Sequence, residues 1–175
     1  MLKKLMSLSA SKWYWLAFLL LGIGFEATAL YYQYVLDYAP CVLCIHVRIW
    51  VSGIIIVSLL ALALYRSWPG LFLVQALMTV LSAGMLERSY QLLGTERGFL
   101  MGDCSMDSGL PAWFALDDWL PSVFQVWEPC GYTPELLFGV TMAEALIVFS
   151  FVILFMNSLL TVSLLINRFI ITKVH

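Results

Sequence analysis

Apolar residues are concentrated in four long stretches of this chain, and polar residues collect between them. The stretches run from about Trp13 to Tyr34, Ile45 to Tyr65, Leu71 to Gln91 and Met142 to Ile166. Each is close to the roughly 20 residues that a helix needs to cross a bilayer. The first two connections are short, which sets consecutive helices side by side and antiparallel. The pattern predicts an all-α integral membrane protein, an antiparallel four-transmembrane-helix bundle that forms one membrane domain over residues 1–175.

Composition agrees with a membrane protein. Apolar residues make up 62% of the chain and charged residues 11%, and the mean hydropathy is +0.93, which excludes an ordinary soluble domain. A cleaved signal peptide is an alternative for the first stretch, because lysines precede it and Ala27-Thr28-Ala29 has small residues at the spacing of a cleavage site. The apolar stretch continues past that site to Tyr34, which favours a transmembrane helix.

The distribution of basic residues predicts the orientation. An even number of spans puts both termini on one side, and most of the basic residues lie there. They are Lys3, Lys4, Lys12, Arg66, Arg168 and Lys173. Only Arg48, Arg88 and Arg97 fall on the other side, so the termini are expected to be cytoplasmic. The long loop, predicted at about residues 92–139, and the start of the second helix then face the outside, which in a bacterium is the oxidising periplasm.

The long loop is acidic and contains a tryptophan-rich stretch. The segment from Glu96 to Glu135 contains seven acidic residues and one basic residue, Arg97. This excess of negative charge predicts no nucleic-acid partner and no adhesion to anionic lipid. Between Pro111 and Pro121, tryptophans alternate with acids over a length too short to span a bilayer. This composition predicts a short interfacial helix with its indoles at the depth of the lipid headgroups.

Cys41 and Cys44 form a Cys-x-x-Cys pair where the second apolar stretch begins. At the start of a helix, free N–H groups and the positive end of the helix dipole favour thiolate over thiol. Arg48 lies one turn after Cys44 on the same helical face, where it can hold an anion. A redox-competent pair at the boundary of membrane and water predicts an electron-transfer enzyme.

The four cysteines permit three pairings. The short spacing favours Cys41 with Cys44, which leaves Cys104 with Cys130. Two structural disulfides are the alternative, and it is stronger for the loop pair, since a crosslink over two intervening residues gains little loop-closure entropy. A zinc site is a weaker alternative because structural zinc sites use two short-spaced pairs.

Several charged or polar residues sit within or next to the apolar stretches. Glu26 lies inside the first, where an ionised carboxylate costs about 2.5 to 3.5 kcal/mol. It is expected to be a protonated group hydrogen-bonded to a neighbouring helix, a proton relay, or a partner for Arg48. Snorkelling to the interface is the alternative for Arg48. Thr141 and Glu144 have the spacing of a helix capping box. His46 is expected at the interface.

Short motifs occur in order along nearly the whole chain. They are Phe25-Glu26-Ala27-Thr28-Ala29-Leu30, Pro40-Cys41-Val42-Leu43-Cys44-Ile45 with Arg48, Asp103-Cys104, Trp119-Leu120-Pro121-Ser122-Val123-Phe124, and Cys130. Together these motifs resemble the bacterial disulfide bond formation protein B family. The Pro-Cys-Val-Leu-Cys sequence followed by Arg48 is the most specific of them.

The resemblance implies a membrane thiol oxidoreductase. Such a protein reoxidises a periplasmic thioredoxin-fold dithiol oxidase of the DsbA-like kind and passes the electrons to a membrane quinone, ubiquinone or menaquinone. Cys104 would form the mixed disulfide with the partner and Cys130 would resolve it. Cys41 and Cys44 would then reoxidise the loop pair, the Cys44 thiolate would interact with the quinone, and Arg48 would stabilise the developing oxyanion.

One position departs from the pattern of this family. Where some members carry a histidine near the quinone, at the outer end of the third helix, this chain has Gln91. A glutamine donates a hydrogen bond but carries no proton at neutral pH, so quinone protonation is not expected there, and His46 is a weak substitute. Glu26 would take part in quinone protonation if it shares a pocket with Arg48. A non-catalytic four-helix scaffold or transporter subunit with structural disulfides remains the alternative function.

Overall fold

Four long apolar helices make up most of the fold. The computed structural model describes residues 7–101, 106–131, 133–137 and 139–174. The long helices are α1 (Lys12–Tyr34), α2 (Val42–Leu64), α3 (Trp68–Glu96) and α6 (Met142–Val174). Each is long and apolar enough to cross a membrane, α6 over Met142–Asn167, which confirms the predicted four-helix membrane fold. Helices α2 and α3 begin about three residues before the predicted starts. Cys41 caps α2, and Pro69 in the first turn of α3 favours a helix start there, so local signals and not the edge of the apolar stretch decide where each helix begins.

Local signals in the sequence explain the helix starts. Ser11 precedes α1 and accepts a hydrogen bond from the Trp13 N–H. At the start of α6, the Glu144 N–H donates to Thr141 Oγ1 at 3.3 Å, and the Thr141 N–H donates to Glu144 Oε2 at 3.1 Å. This reciprocal pair is the predicted capping box. Glu144 also forms an ion pair with Arg97, so the end of α3 is tied to the start of α6.

Helices α3 and α6 pack along a seam of polar side chains, which we call the polar seam. It comprises Gln75 Nε2 with Asn157 Oδ1 at 2.7 Å, Thr79 Oγ1 with Thr161 Oγ1 at 2.9 Å, and Ser89 Oγ with Ser150 Oγ at 3.1 Å. Small and polar residues let membrane helices approach closely and bond across their interface. The polar seam therefore fixes how α3 and α6 stand against each other.

The other helices follow in chain order, with α1 on α2 and α2 on α3. Side chains also join α1 to α6: the Tyr14 hydroxyl donates to Asn157 Oδ1 at 2.8 Å, and the rings of Phe25 and Phe149 meet edge to face with centroids 5.1 Å apart. This arrangement leaves room for a cavity between α1, α2 and α6, toward the end of the bundle that bears the long loop.

The long loop, residues 97–141, contains short elements. A 3₁₀ turn (Ala112–Phe114) is followed by α4 (Leu116–Trp119) and α5 (Pro121–Phe124). Strands β1 (Glu135–Leu137) and β2 (Val140–Thr141) form a small antiparallel hairpin that leads into α6. The sequence analysis predicted one short helix in this region and no hairpin. The depth of these turns relative to a membrane stays a prediction, although Trp113 is 78% exposed and free to meet headgroups.

Candidate active site

Cys41 and Cys44 lie at the first turn of α2. Cys41 is the N-cap residue, and its sulfur accepts a hydrogen bond from the Cys44 N–H at 3.3 Å. The two Sγ atoms lie 2.7 Å apart, so a disulfide, with an S–S bond of about 2.05 Å, needs only a small movement. Cys41 has the extended backbone that is usual for an N-cap residue. The pair is thus poised for reversible disulfide formation.

Cys130 of the long loop lies against this pair. Its side chain forms a hydrogen bond with Cys41 and lies close to Cys44. The backbone explains the proximity, because the N–H groups of Trp127 and Glu128 donate to the Pro40 carbonyl at 3.0 and 3.4 Å. Three sulfur atoms therefore meet at one end of α2, although Cys130 is 86 residues further along the chain than Cys44.

The environment of Cys41 differs from that of an exposed thiol. Cys41 is only 3% exposed. The hydrogen bond with Cys130 lowers the pKa of the Cys41 thiol, but the hydrogen bond with Cys44 and burial together raise it by more, so the net direction is upward. The thiolate that the start of a helix was expected to favour is therefore not favoured at Cys41, and a sulfur of raised pKa is a poor leaving group from a disulfide.

An apolar cavity of about 180 Å³ opens beside Cys44. Its walls come from α1, α2, the start of α6 and the loop segments that cover the end of the bundle. The residues that line the cavity include Phe25, Glu26, Ala29, Tyr32, Pro40, Cys44, Val47, Arg48, Val51, Pro134, Leu136, Met142, Ala145 and Leu146. An apolar pocket with a few convergent polar groups is the usual form of a small-molecule site. Cys44 and Arg48, predicted to act together, share this cavity.

Arg48 is 6% exposed and does not reach solvent, contrary to the snorkelling alternative. Its Nη1 donates to Gln33 Oε1 at 2.6 Å and to the Val123 carbonyl at 2.8 Å, and its Nη2 donates to the Ala29 carbonyl at 3.1 Å. A guanidinium has five N–H donors, so these bonds leave donor capacity toward the cavity. Arg48 is both a charge at the cavity wall and a clamp between α1, α2 and α5.

Glu26 lines the same cavity as Arg48. Its Oε1 accepts a hydrogen bond from the Ser52 hydroxyl at 3.2 Å, while its buried Oε2 finds no hydrogen-bond partner within the described ranges. Glu26 and Arg48 do not form an ion pair, since the guanidinium is directed to Gln33 and the two carbonyls. A buried oxygen without a partner costs free energy, which suits an atom that meets a ligand.

Two other predicted residues lie away from the cavity wall. Gln91 does not line the cavity; its amide donates to Glu87 Oε1 at 2.8 Å and accepts from Arg88 Nη1 at 3.0 Å. His46 Nε2 donates to the Ser108 carbonyl at 2.8 Å, so its ring faces the long loop. Cys104 lies outside the described residues, and its predicted role stays a prediction.

Gln33 and Tyr34, at the end of α1, were missed by the sequence analysis. Gln33 accepts a hydrogen bond from Arg48. Gln33 Nε2 and the Tyr34 hydroxyl both donate to the Ser122 carbonyl, at 3.4 Å and 2.6 Å. The available signal was an amide at the end of an apolar stretch, one helical turn after Ala29 on the face that carries Glu26. That signal does not distinguish a buried amide from one that faces water.

Comparison with known proteins agrees with this site. The chain matches the family described as "Disulfide bond formation protein DsbB" over residues 11–160. A protein named "Disulfide bond formation protein B" from Shewanella denitrificans is 33% identical over 144 residues, which cover 82% of each chain. "Disulfide bond formation protein B 2" from Pseudomonas aeruginosa is 34% identical over 146 residues, which cover 81% of this chain and 86% of that protein.

A second Shewanella relative, "Disulfide bond formation protein B" from Shewanella frigidimarina, is 34% identical over 131 residues, covering 74% of this chain and 78% of that protein. The family match contains all four helix starts and all four cysteines of the chain. It confirms the resemblance seen in the motifs and agrees with sulfur chemistry at the end of α2. With four membrane-spanning helices and this match over most of its length, the chain belongs to the disulfide bond formation protein DsbB family.

Proposed function

We propose that the chain is a protein-disulfide:quinone oxidoreductase, which reoxidises a DsbA-like thioredoxin-fold dithiol oxidase and passes the electrons to a membrane quinone. One observation carries the proposal: Cys41, Cys44 and Cys130 meet at an apolar cavity that Cys44 and Arg48 line. Structural disulfides would need neither three adjacent sulfurs nor a cavity beside them. Membership of a disulfide bond formation family supports the same chemistry.

The proposed location is the bacterial inner membrane, with both termini in the cytoplasm. The basic residues near the termini and at Arg66 support this orientation. The cysteines would then face the periplasm, where disulfides persist and where a dithiol oxidase needs reoxidation.

The first step would take place at the loop pair. A thiolate of the reduced partner attacks Cys104 in the Cys104–Cys130 disulfide; a mixed disulfide forms and Cys130 leaves as a thiolate. The second thiolate of the partner then attacks the partner sulfur of that mixed disulfide and releases Cys104. Cys130 does not resolve the adduct in this direction, because its attack on Cys104 would release the partner in the reduced form. The partner departs oxidised, and two electrons have passed to the loop pair.

The second step would transfer those electrons to α2. The Cys130 thiolate attacks Cys41 in the Cys41–Cys44 disulfide, a Cys41–Cys130 disulfide forms, and Cys44 leaves as a thiolate at the cavity. The Cys104 thiolate then attacks Cys130, restores the loop disulfide and releases Cys41. The hydrogen bond between Cys41 and Cys130 supports this order, because the attacking and attacked sulfurs are already neighbours.

The cavity suits the ring of a quinone. An engineered apolar cavity of about 150 Å³ binds benzene, so about 180 Å³ accommodates a substituted six-membered ring. When bound, a quinone supplies a two-electron, two-proton acceptor. Cys44 would deliver the electrons as the Cys41–Cys44 disulfide reforms, the N–H groups of Arg48 would hold a ring oxygen, and Glu26 would hold or move a proton there. A contact from Gln91 stays a prediction.

The decisive test uses purified full-length protein in detergent with a short-chain ubiquinone. Addition of a reduced DsbA-like protein should give catalytic loss of the quinone absorbance and an equal amount of oxidised partner. The same partner, oxidised beforehand, is the control and should give no quinone reduction. A non-catalytic scaffold or transporter subunit would leave the quinone unchanged in both samples.

Glu26→Gln should insert normally and lower the rate of quinone reduction at neutral pH, because glutamine cannot hold or release a proton. The expected loss is on the order of 10²-fold, the lower end of what a positioned acid or base contributes. The pH–rate profile should also lose one ionisation. Ser52→Ala is the matched control, since it removes the hydrogen bond to Glu26 but keeps the carboxyl group. A wild-type pH profile in the Gln variant would exclude the proton role.

Cys130→Ser should trap the partner on the loop. The remaining Cys104 thiolate attacks the disulfide of an oxidised partner, a mixed disulfide forms and the second partner sulfur leaves as a thiolate. With Cys130 absent no loop thiol can resolve the adduct, and N-ethylmaleimide in the quench alkylates the released partner thiolate before it can reverse the step. A band of the summed mass should therefore accumulate on a non-reducing gel and disappear with reductant. Cys104→Ser should give much less of it, because Cys130 is half-buried and held against Cys41. Equal adduct from the two variants would deny Cys104 its special role.

A further inference from the structure

The guanidinium of Arg48 joins three segments of the chain. It belongs to α2, it donates to Gln33 and to the Ala29 carbonyl of α1, and it donates to the Val123 carbonyl of α5. The same side chain lines the cavity beside Cys44. A group that binds in the cavity and touches this guanidinium therefore touches the anchor of the long loop.

Gln33 completes this anchor. It is 3% exposed, its Oε1 accepts from Arg48 Nη1 at 2.6 Å, and its Nε2 donates to the Ser122 carbonyl at 3.4 Å. The Tyr34 hydroxyl donates to that same carbonyl at 2.6 Å and makes no hydrogen bond with Arg48. Two consecutive carbonyls of α5 are thus bonded by three side chains, and Gln33 is the one that bonds both the carbonyl segment and the guanidinium.

The anchored segment leads directly to Cys130. Phe124 and Val126 are buried in the core, and the N–H groups of Trp127 and Glu128 bond the Pro40 carbonyl beside Cys41. The chain between Val123 and Cys130 is therefore fixed at both ends, at Arg48 and at Pro40. The position of the Val123 carbonyl is therefore linked, through this short and packed segment, to the position of the sulfur that meets Cys41.

We propose that Gln33 is a positioning residue that holds Arg48 against the Val123 carbonyl and thereby couples occupation of the cavity by a quinone to the approach of Cys130 to Cys41. The inference rests on the proposed function. A ring oxygen that accepts the remaining N–H donors of Arg48 fixes the guanidinium, and the fixed guanidinium holds Val123 in the position that brings Cys130 to Cys41. Because such coupling is reciprocal, formation of the Cys41–Cys130 disulfide should tighten quinone binding by the same factor.

The test measures a disulfide equilibrium and not turnover. In a Cys44→Ser, Cys104→Ser background only Cys41 and Cys130 remain. They form a disulfide as glutathione disulfide is reduced to two glutathiones, and a gel shift with a maleimide-polyethylene glycol reagent reports the oxidised fraction. Saturating decylubiquinone, present as a ligand, should raise the equilibrium constant for disulfide formation about fivefold, the lower end of usual coupling. A protein-free sample controls for any change in the glutathione ratio.

Three variants at Gln33 and one at Tyr34 separate the contacts. Gln33→Leu should lose the response to decylubiquinone, and Gln33→Met, which keeps the side-chain length, should lose it as well. Gln33→Glu should keep the response, because its carboxylate still accepts from Arg48 Nη1. Tyr34→Phe is the matched control: it removes the other bond to the Ser122 carbonyl but leaves Arg48 untouched, so it should also keep the response.

Each outcome decides a different point. If decylubiquinone does not shift the Cys41–Cys130 disulfide equilibrium in the protein that keeps Gln33, the coupling is overturned and the proposed function stays intact. An equal shift with glutamine, leucine and methionine at position 33 would overturn the role of Gln33. Failure of Cys41 and Cys130 to form a disulfide in any background would overturn the coupling together with the relay from which it is drawn.

Discussion

Cys44→Ser should reduce quinone reduction to the level of a protein-free control, and Cys41→Ser should do the same. A two-electron relay through a disulfide fails when either sulfur is missing, and Cys44 is the sulfur at the cavity. The measurement is the loss of ubiquinone absorbance with a reduced DsbA-like partner, together with circular dichroism to verify that the helices have formed.

The capping role of Cys41 allows chemistry and stability to be separated. Its sulfur accepts from the Cys44 N–H, and a serine hydroxyl can do the same, so Cys41→Ser should keep the start of α2 intact. Cys41→Ala removes the cap and should lower the free energy of unfolding by about 1 kcal/mol. Both variants should be inactive. Substantial quinone reduction by either would refute the assignment of Cys41 to the relay.

Arg48→Met should raise the KM for quinone and lower kcat, with kcat/KM reduced tenfold or more. Removal of one hydrogen bond to a charged group costs about 1.5 to 3 kcal/mol, and this side chain makes three such bonds besides facing the cavity. Kinetics with varied quinone at saturating reduced partner measure the effect.

Arg48→Lys tests whether charge alone is sufficient. Lysine keeps the positive charge but cannot reproduce a planar group that bonds Gln33, Ala29 and Val123 together, so kcat/KM should stay well below that of the parent protein. Arg66→Met, at the opposite end of α2, is the control and should leave the kinetics unchanged. Unchanged quinone kinetics in Arg48→Met would remove Arg48 from the site.

Helices and the redox pair were predictable from the sequence because their signals are local. Apolar stretches of sufficient length predicted the four helices, and the Pro40-Cys41 sequence at the start of an apolar stretch predicted a cysteine pair at a helix N-terminus. Capping boxes are also local, which is why Thr141 and Glu144 were assigned correctly.

The contacts of the long loop could not be predicted, because they join residues far apart in sequence. Nothing local at Trp127 or Val123 indicates that their backbone groups bond Pro40 and Arg48. Pairing with Glu26 was one of the roles considered for Arg48. Arg48 instead donates to two backbone carbonyls and an amide, while Glu26 accepts from Ser52 of the neighbouring helix. The hairpin at Glu135–Leu137 was missed for a different reason, since strands of two or three residues are too short to display an alternating pattern.

The polar seam has a consequence for the level along the bundle axis at which the proposed relay would operate. Its three pairs lock α3 and α6 in one axial register, and α6 follows directly from the loop that carries Cys130. A slip of one helical turn would shift the exit of that loop by about 5.4 Å, more than twice the length of an S–S bond, and would separate every pair at once. The amides and hydroxyls of the polar seam thus fix the axial position of α6 relative to α3. This position keeps the Cys130 sulfur level with the two cysteines at the start of α2.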